Sequence, residues 1–215
     1  MMYYKKELQI AFMIFLFGSF FGYILENTLT ILKGVYVLRQ GLIYEPLIPI
    51  YGIGALAYYF LLSNINLKNK TLTLLIAFVV SFILGGFIEY IVSFFQEKIF
   101  GTISWDYSYL PFNINGRTSL FHTSCWGIIG VLYYLLIIPI INKLKDKDFS
   151  KYTNIFIIIL CLITILYISI TTFACYRRTE RRNGIEASNK IEKFLDKNYP
   201  NEMIDYYFSN AKIKK

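Results

Sequence analysis

Five long apolar runs dominate the sequence and restrict the folds open to it. They are residues 8–32, 47–63, 71–95, 119–141 and 152–176. A helix needs about 20 residues to cross a hydrocarbon core, and we expect all five runs to cross it, residues 47–63 being the shortest. Helix is the expected state because backbone N–H and C=O groups find no water in lipid, and the runs lack the alternation of barrel strands. Only 17% of the residues are charged, which argues against a soluble globular enzyme. We therefore predict an all-α, polytopic membrane helix bundle with about five transmembrane helices.

The net charge is +8, and the basic residues flank the apolar runs. We therefore expect them to bind the headgroups of a lipid bilayer, and we expect no nucleic-acid partner. We expect a multi-pass protein of the cell membrane. It would consist of a transmembrane helical domain over residues 1–176 and a basic, partly helical C-terminal tail over residues 177–215. The apolar face of the tail suits either a membrane surface or a solvated helix. Lysine and arginine divide evenly between the two sides of a five-helix arrangement, so the positive-inside rule leaves the orientation open.

A pattern of small residues and a glutamate occurs in both the first and the third run. The two copies are Gly18-x3-Gly22-x3-Glu26 and Ser81-x3-Gly85-x3-Glu89. Residues four apart share a helical face, so each helix presents two small residues and a carboxylate in one stripe. A proline-containing loop and a glycine-bearing apolar run follow each copy. This predicts a parallel internal repeat of two-helix units, related by an axis along the membrane normal, with a fifth helix added. Small residues that only allow close helix packing are the alternative explanation.

Glu26 and Glu89 are the strongest functional signal in the sequence. A carboxylate inside a membrane helix costs at least about 2.5–3.5 kcal/mol, so it must be paired, hydrated or protonated. With a helix rise of about 1.5 Å per residue, both glutamates fall near the same membrane face as Arg117 and His122. We expect Arg117 to offset one of the two carboxylates. A purely structural ion-pair network is the alternative.

Two loops on that face, residues 35–46 and 105–117, mix aromatic, polar and proline residues. This mixture favours segments that fold back over a polar pocket, with an aromatic interfacial belt as the alternative. The candidate substrate-binding residues are Glu26, Arg39, Tyr51, Glu89, Trp105, Asp106, Tyr107, Asn113, Arg117, His122 and Trp126.

Two segments carry a family resemblance. They are Pro46-x2-Pro49-Ile50-Tyr51-Gly52-x-Gly54-Ala55-Leu56, and Glu89 followed by Trp105-Asp106-Tyr107-Ser108-x2-Pro111-Phe112-Asn113-x2-Gly116-Arg117 and Trp126-Gly127. Together they resemble a bacterial membrane family described as Putative ABC-transporter type IV (CmpB-like). The resemblance covers roughly residues 8–140, and it departs from the family pattern at Glu45, where a glycine often stands. It implies a polytopic protein of the bacterial inner membrane with a role connected to transport.

Motifs missing from the sequence narrow the chemistry. There is no G-x4-G-K-[ST] phosphate loop, so energy for transport would come from a separate ATPase subunit or from an ion gradient. The sequence has no H-E-x-x-H or C-x-x-C spacing and only one histidine. We therefore expect no metal site and no cofactor. Cys125, Cys161 and Cys175 have no paired spacing and are expected to be free thiols.

Three functions stay open at this point. The first is a transporter component, either a permease or a substrate-binding membrane subunit, in which Glu26 and Glu89 bind a cationic or amine-bearing ligand or couple to protons. The second is a membrane enzyme acting on a lipid-linked substrate, with His122 as general acid or base oriented by Glu89 and with Arg117 holding a phosphate. The third is a non-catalytic assembly or regulatory subunit. We favour transport, with an ATPase subunit or a second copy of the chain as partner, because many polar groups gather at one depth.

Overall fold

A computed structural model describes residues 2–34, 39–65 and 67–214. Of these residues 72% are helical, and they form seven helices. They are α1 Met2–Leu32, α2 Pro49–Leu62, α3 Lys70–Phe100, α4 Leu120–Lys145, α5 Lys151–Arg182, α6 Lys190–Asn198 and α7 Asn201–Tyr207. Four two-residue strands complete the fold: β1 Thr102–Ile103, β2 Asn113–Ile114, β3 Thr118–Ser119 and β4 Lys212–Ile213. The predicted all-α class is confirmed.

Four of these helices, α1, α3, α4 and α5, are long and apolar enough to cross a membrane. They make the chain a multi-pass membrane protein. The apolar helix α2 has 14 residues and is therefore about 21 Å long, shorter than the roughly 30 Å of a hydrocarbon core. It begins at Pro49, where the missing N–H of proline costs the helix nothing. The predicted count of five transmembrane helices is not confirmed.

The two predicted helix pairs, α1 with α2 and α3 with α4, pack in the same way. Each contact in the first pair recurs at the equivalent position in the second. The contacts are Phe15 with Gly52, Gly18 with Ala55 and Gly22 with Tyr51 in the first pair, and Phe78 with Gly127, Ser81 with Gly130 and Gly85 with Trp126 in the second. Small residues at these positions let large side chains of the neighbouring helix approach the backbone. The small-residue stripes seen in the sequence are therefore the helix-packing surfaces.

Equivalent residues of α2 and α4 also touch each other. The ring centroids of Tyr51 and Trp126 are 5.4 Å apart, and those of Tyr58 and Tyr133 are 5.7 Å apart. Two residues related by a twofold axis contact each other only at that axis. The two contacts are separated by two helical turns, about 10 Å, so the axis runs along α2 and α4. This geometry supports the predicted parallel repeat.

The loops between the paired helices fold back along the helices that precede them. Thr118 in β3 reaches Glu89, which lies about 16 Å before the end of α3 at Phe100. Irregular backbone at such depth is tolerated when protein covers it. A hairpin of β2 and β3 forms the deep part of this loop, with Asn113 opposite Ser119. Residues 35–38 of the other predicted loop lie outside the described residues.

The hairpin turns at Asn115 and Gly116, which both have positive φ. This conformation is typical of an Asn-Gly turn. A Cβ on Gly116 would lie 2.5 Å from Asp106 Oδ1, so the position needs glycine for space as well as for its φ of 68°.

The C-terminal tail folds back onto the end of α5. Strand β4 pairs antiparallel with β1, which follows α3, and Arg177 and Arg178 at the end of α5 are 1% exposed. Arg177 binds Asp196 of α6, and Arg178 binds Asp205 of α7. Helix α5 itself continues across the predicted boundary between residues 176 and 177 to Arg182. The division into a transmembrane domain and a tail stays a prediction.

Candidate functional site

Glu26 of α1 has two partners that the sequence analysis selected. Its carboxylate forms an ion pair of 2.9 Å with the Arg39 guanidinium and accepts a hydrogen bond of 2.6 Å from the Tyr51 hydroxyl. The Asn27 side chain holds Arg39 in place through two hydrogen bonds with its backbone. The first glutamate is therefore neutralised by a cation of the following loop.

Glu89 of α3, the equivalent of Glu26, has a different environment. It is only 6% exposed. Its carboxylate accepts hydrogen bonds of 3.1 Å from the Tyr107 hydroxyl and 2.8 Å from the Thr118 hydroxyl. Burial, and then the charge of Glu89 and the hydrogen bond to it, raise the pKa of Tyr107, so this loop residue stays protonated and donates. Within residues 6–34, 39–65 and 67–214, no cation forms an ion pair with Glu89.

Two aromatic side chains connect the glutamates. Tyr51 binds Glu26 through its hydroxyl and contacts the Trp126 ring. Trp126 packs on Gly85, one helical turn before Glu89, and its side chain lies next to the Glu89 carboxylate. We name the following set the glutamate cluster: Glu26, Arg39, Tyr51, Glu89, Tyr107, Thr118 and Trp126.

Arg117 lies close to this cluster but has a different partner from the predicted one. It forms an ion pair with Glu97 and donates a hydrogen bond of 3.2 Å to Ser93. The expectation that Arg117 offsets Glu26 or Glu89 is wrong. Thr118 occupies the position beside Glu89, and the preceding arginine consequently reaches the next turns of α3.

Sequence reasoning missed Ser93, Glu97 and Thr118. A signal for the first two was present, since Ser93 and Glu97 continue the four-residue spacing of the stripe that ends at Glu89. Thr118 follows directly after Arg117, but hydroxyl residues are common in membrane helices and loops. Only the hairpin geometry distinguishes it.

His122 lies on the first turns of α4. Its Nδ1 is 2.8 Å from Ser119 Oγ, and its ring stacks on Tyr107 with centroids 3.6 Å apart. Ser119 caps α4 and is itself buried. The predicted orientation of His122 by Glu89 is wrong, because Tyr107 lies between the two groups, stacked on the ring and bonded to the carboxylate.

Trp105, Asp106 and Asn113 shape the second loop. Trp105 Nε1 donates to the Arg117 carbonyl at 2.8 Å. Asp106 Oδ1 accepts from the Ser108 amide, and this bond lowers the pKa of the Asp106 carboxyl. Asn113 donates to the Leu110 carbonyl and accepts from the Gly116 amide. These contacts position Tyr107 and Thr118, so the three residues support the glutamate cluster and do not belong to it.

A cavity of about 390 Å³ adjoins the Glu26 end of the cluster. Its wall includes Glu26, Arg39, Tyr51 and Trp105 from the predicted set, together with residues of α3, α5 and the tail. Among the described residues, no group of three or more His, Cys, Asp or Glu side chains is arranged to hold a metal ion. Cys125, Cys161 and Cys175 are free thiols.

The sequence matches the family described as Putative ABC-transporter type IV over residues 13–172, more than half of the chain. The chain belongs to this family. No curated protein and no solved structure matches the chain.

The family match includes the four long apolar helices and excludes the tail helices. It covers α1 from residue 13 onward, α2, α3, α4, the connecting loops and most of α5. It begins later than the resemblance over residues 8–140 and ends beyond it, at residue 172. The tail helices α6 and α7 lie outside it. Glu45, where we expect a departure from the family pattern, contacts Thr164 of α5 at 3.4 Å, and burial raises the pKa of this loop carboxyl.

Proposed function

We propose that this multi-pass family member is a transport component of the cell membrane, a permease or substrate-binding subunit, and that its glutamate cluster binds a cationic or amine-bearing ligand or a proton. The observation that carries the proposal is the environment of Glu89. This carboxyl is buried in a membrane helix, and its bonded partners are two neutral hydroxyl groups. Such a group is stabilised by any cation that reaches it.

The difference between the two repeats supports this role. Glu26 already has Arg39 as a cationic partner, whereas the partners of Glu89 are the hydroxyl groups of Tyr107 and Thr118. In a repeat with equivalent glutamates, this leaves one carboxylate for structure and one for a ligand. The Trp126 ring beside Glu89 adds an aromatic face, which also attracts amine cations.

The loop from Gly101 to Arg117 would act as the cover of this site. Tyr107 is its contact with Glu89, and the loop is held by Trp105 and by the Asn115–Gly116 turn. A ligand that replaces the Tyr107 hydrogen bond would shift this loop. Because the chain has no phosphate loop, we assign energy coupling to a separate ATPase subunit or an ion gradient.

The proposal is tested by uptake in cells that express wild type or the variants Glu26→Gln, Glu89→Gln and Glu7→Gln. Glu7 lies at the other end of α1, where it contacts Tyr59 and Lys145, so Glu7→Gln is the matched control. With methylamine, choline and putrescine as probes, we expect Glu89→Gln to abolish uptake that Glu7→Gln retains. If Glu26→Gln and Glu89→Gln both transport like wild type, the carboxylates have no part in the mechanism.

One observation favours the assembly-subunit alternative. Glu26, Glu97, Asp196 and Asp205 all have arginine partners, as in a structural ion-pair network. That function predicts that Glu89→Gln lowers thermal stability or partner recovery and changes no ligand response.

A further inference from the structure

The cavity beside the glutamate cluster has a second chemical feature on its α5 wall. This wall contains Thr171, Thr172, Cys175 and Arg178, and the opposite wall comes from residues 39–42 of the first loop and from the start of α2. Apolar side chains form most of the remaining surface. They include Ile48, Ile53, Val92, Phe100, Ile168 and Phe208. A volume of about 390 Å³ lies in the range of small-molecule sites.

Arg178 is the unusual group in this wall. It is 1% exposed, and its Nη1 donates to Asp205 at 2.9 Å. Its Nε has no hydrogen-bond partner among the described residues. A buried donor of a charged group that lacks a partner costs free energy, more than a neutral group does. The cavity is the place from which an acceptor for this guanidinium can come.

The charges around Arg178 do not cancel. Asp205 also accepts hydrogen bonds from Arg182 at 2.8 and 3.0 Å, so one carboxylate serves two guanidinium groups. The neighbouring Arg177 and Arg181, by contrast, share Asp196 and have Glu180 as a second acid. The end of α5 therefore keeps one positive charge in excess, next to Arg178.

The hydroxyl group of Thr171 also favours a ligand that accepts hydrogen bonds. Thr171 is buried and accepts a hydrogen bond of 3.2 Å from the Ile43 amide. Its own proton is available for donation, since no described residue accepts it. Arg178 and Thr171 lie two helical turns apart on the same face of α5, and both line the cavity.

We infer that this cavity binds an anionic amphiphile, a molecule with an acidic head, carboxylate or phosphate, and an apolar body. The acidic head pairs with Arg178 and accepts from Thr171, and the apolar body lies along Ile53, Phe100 and Ile168. The site goes beyond the proposed transport function, because it depends on α5 and the tail and not on Glu89. The acidic head can belong to a membrane phospholipid or to a soluble acid.

The test is native mass spectrometry of the full chain in phosphatidylcholine nanodiscs, titrated with dodecyl phosphate, dodecanol or inorganic phosphate. Arg178→Gln removes the guanidinium. Arg182→Gln is the matched control, because Arg182 also binds Asp205 and lies outside the cavity wall. Ala211→Phe fills the cavity from the tail side and leaves the pair of Arg178 with Asp205 intact, so it tests the site even if Arg178→Gln fails to fold.

We expect one dodecyl phosphate to bind saturably to wild type and to Arg182→Gln, and to bind at least about tenfold more weakly to Arg178→Gln and Ala211→Phe. Dodecanol should not compete. An anionic phospholipid retained by wild type and lost from Arg178→Gln identifies a lipid as the occupant, whereas displacement of dodecyl phosphate by butyl phosphate identifies a soluble acid. Equal binding to wild type and to both cavity variants, or equal binding of dodecanol, overturns the inference. Transport assays of Glu89→Gln do not affect this result.

Discussion

Gly85→Ala tests how α3 and α4 pack beneath the glutamate cluster. A Cβ on Gly85 would lie 2.4 Å from both Cβ and Cγ of Trp126. The Cβ of Trp126 is fixed to its Cα, so it moves only together with the α4 backbone. Overpacking of this kind costs about 1–3 kcal/mol, and so close a contact belongs at the upper end. The higher helix propensity of alanine returns about 1 kcal/mol, which leaves a net loss of about 2 kcal/mol.

Gly54→Ala is the matched control, because it makes the same substitution in α2 on the other side of Trp126. A Cβ on Gly54 would lie 3.7 Å from the Trp126 ring, an ordinary contact, so this variant should gain up to about 1 kcal/mol. The two variants should therefore differ by about 3 kcal/mol. For a chain of this size, a difference of that order corresponds to roughly 6–12 °C in Tm.

The assay is thermal unfolding of the purified protein in one detergent. Gly22→Ala extends it to the other helix pair, since a Cβ there would lie 2.3 Å from Tyr51. It should lose about as much stability as Gly85→Ala. If Gly85→Ala and Gly54→Ala unfold at the same temperature, Trp126 does not pack on Gly85. In that case Glu89, one helical turn further along α3, does not lie next to Trp126.

Three further predictions concern charged groups. Arg39→Gln should destabilise the protein by about 1–2 kcal/mol, because the Arg39–Glu26 pair is neither fully exposed nor fully buried, and a double-mutant cycle with Glu26→Gln measures the coupling. Glu45→Gln should stabilise the protein by about 1 kcal/mol at pH 7 in the same unfolding assay, because Glu45 Oε2 is buried without a described partner. Burial raises the pKa of the Glu45 carboxyl above 4.5, so the cost of burying its ionised form appears as the pH rises through the folded pKa. A destabilised Glu45→Gln would contradict this. Hydrogen bonds from Arg177, and after it Arg181, lower the pKa of Asp196 below 3.8. The contribution of Asp196 to tail docking is therefore complete above that value and is lost as the pH falls through the folded pKa. Limited proteolysis at residues 183–189 should find the tail protected at pH 5 and cleaved only below about pH 4, whereas cleavage at pH 5 refutes the role of these ion pairs.

The repeat and the helix packing were predictable from the sequence because they depend on spacing alone. Gly18, Gly22 and Glu26 recur as Ser81, Gly85 and Glu89, and four-residue spacing fixes a helical face whatever the tertiary structure. The extent of α2 was less predictable. Hydropathy places apolar residues from Leu47, but Pro49 and the returning loop set the start of the helix.

The partners of the charged groups could not be predicted from the sequence. Depth estimates place Arg117 near Glu89, but ion pairing depends on distances of a few ångströms, and the hairpin directs Thr118 to Glu89 and Arg117 to Glu97. The pairs formed by Arg177 and Arg178 with tail acids likewise depend on how the tail returns, which no local pattern determines.

Equilibrium binding of radiolabelled amines to the purified chain tests the role of Glu89 most directly. With methylamine, choline and putrescine as probes, we predict that at least one binds to wild type and to Glu7→Gln. Its affinity for Glu89→Gln should fall by about tenfold or more, as the loss of a charge-assisted contact requires. Equal affinity for wild type and Glu89→Gln would contradict the assignment of the glutamate cluster as a ligand site.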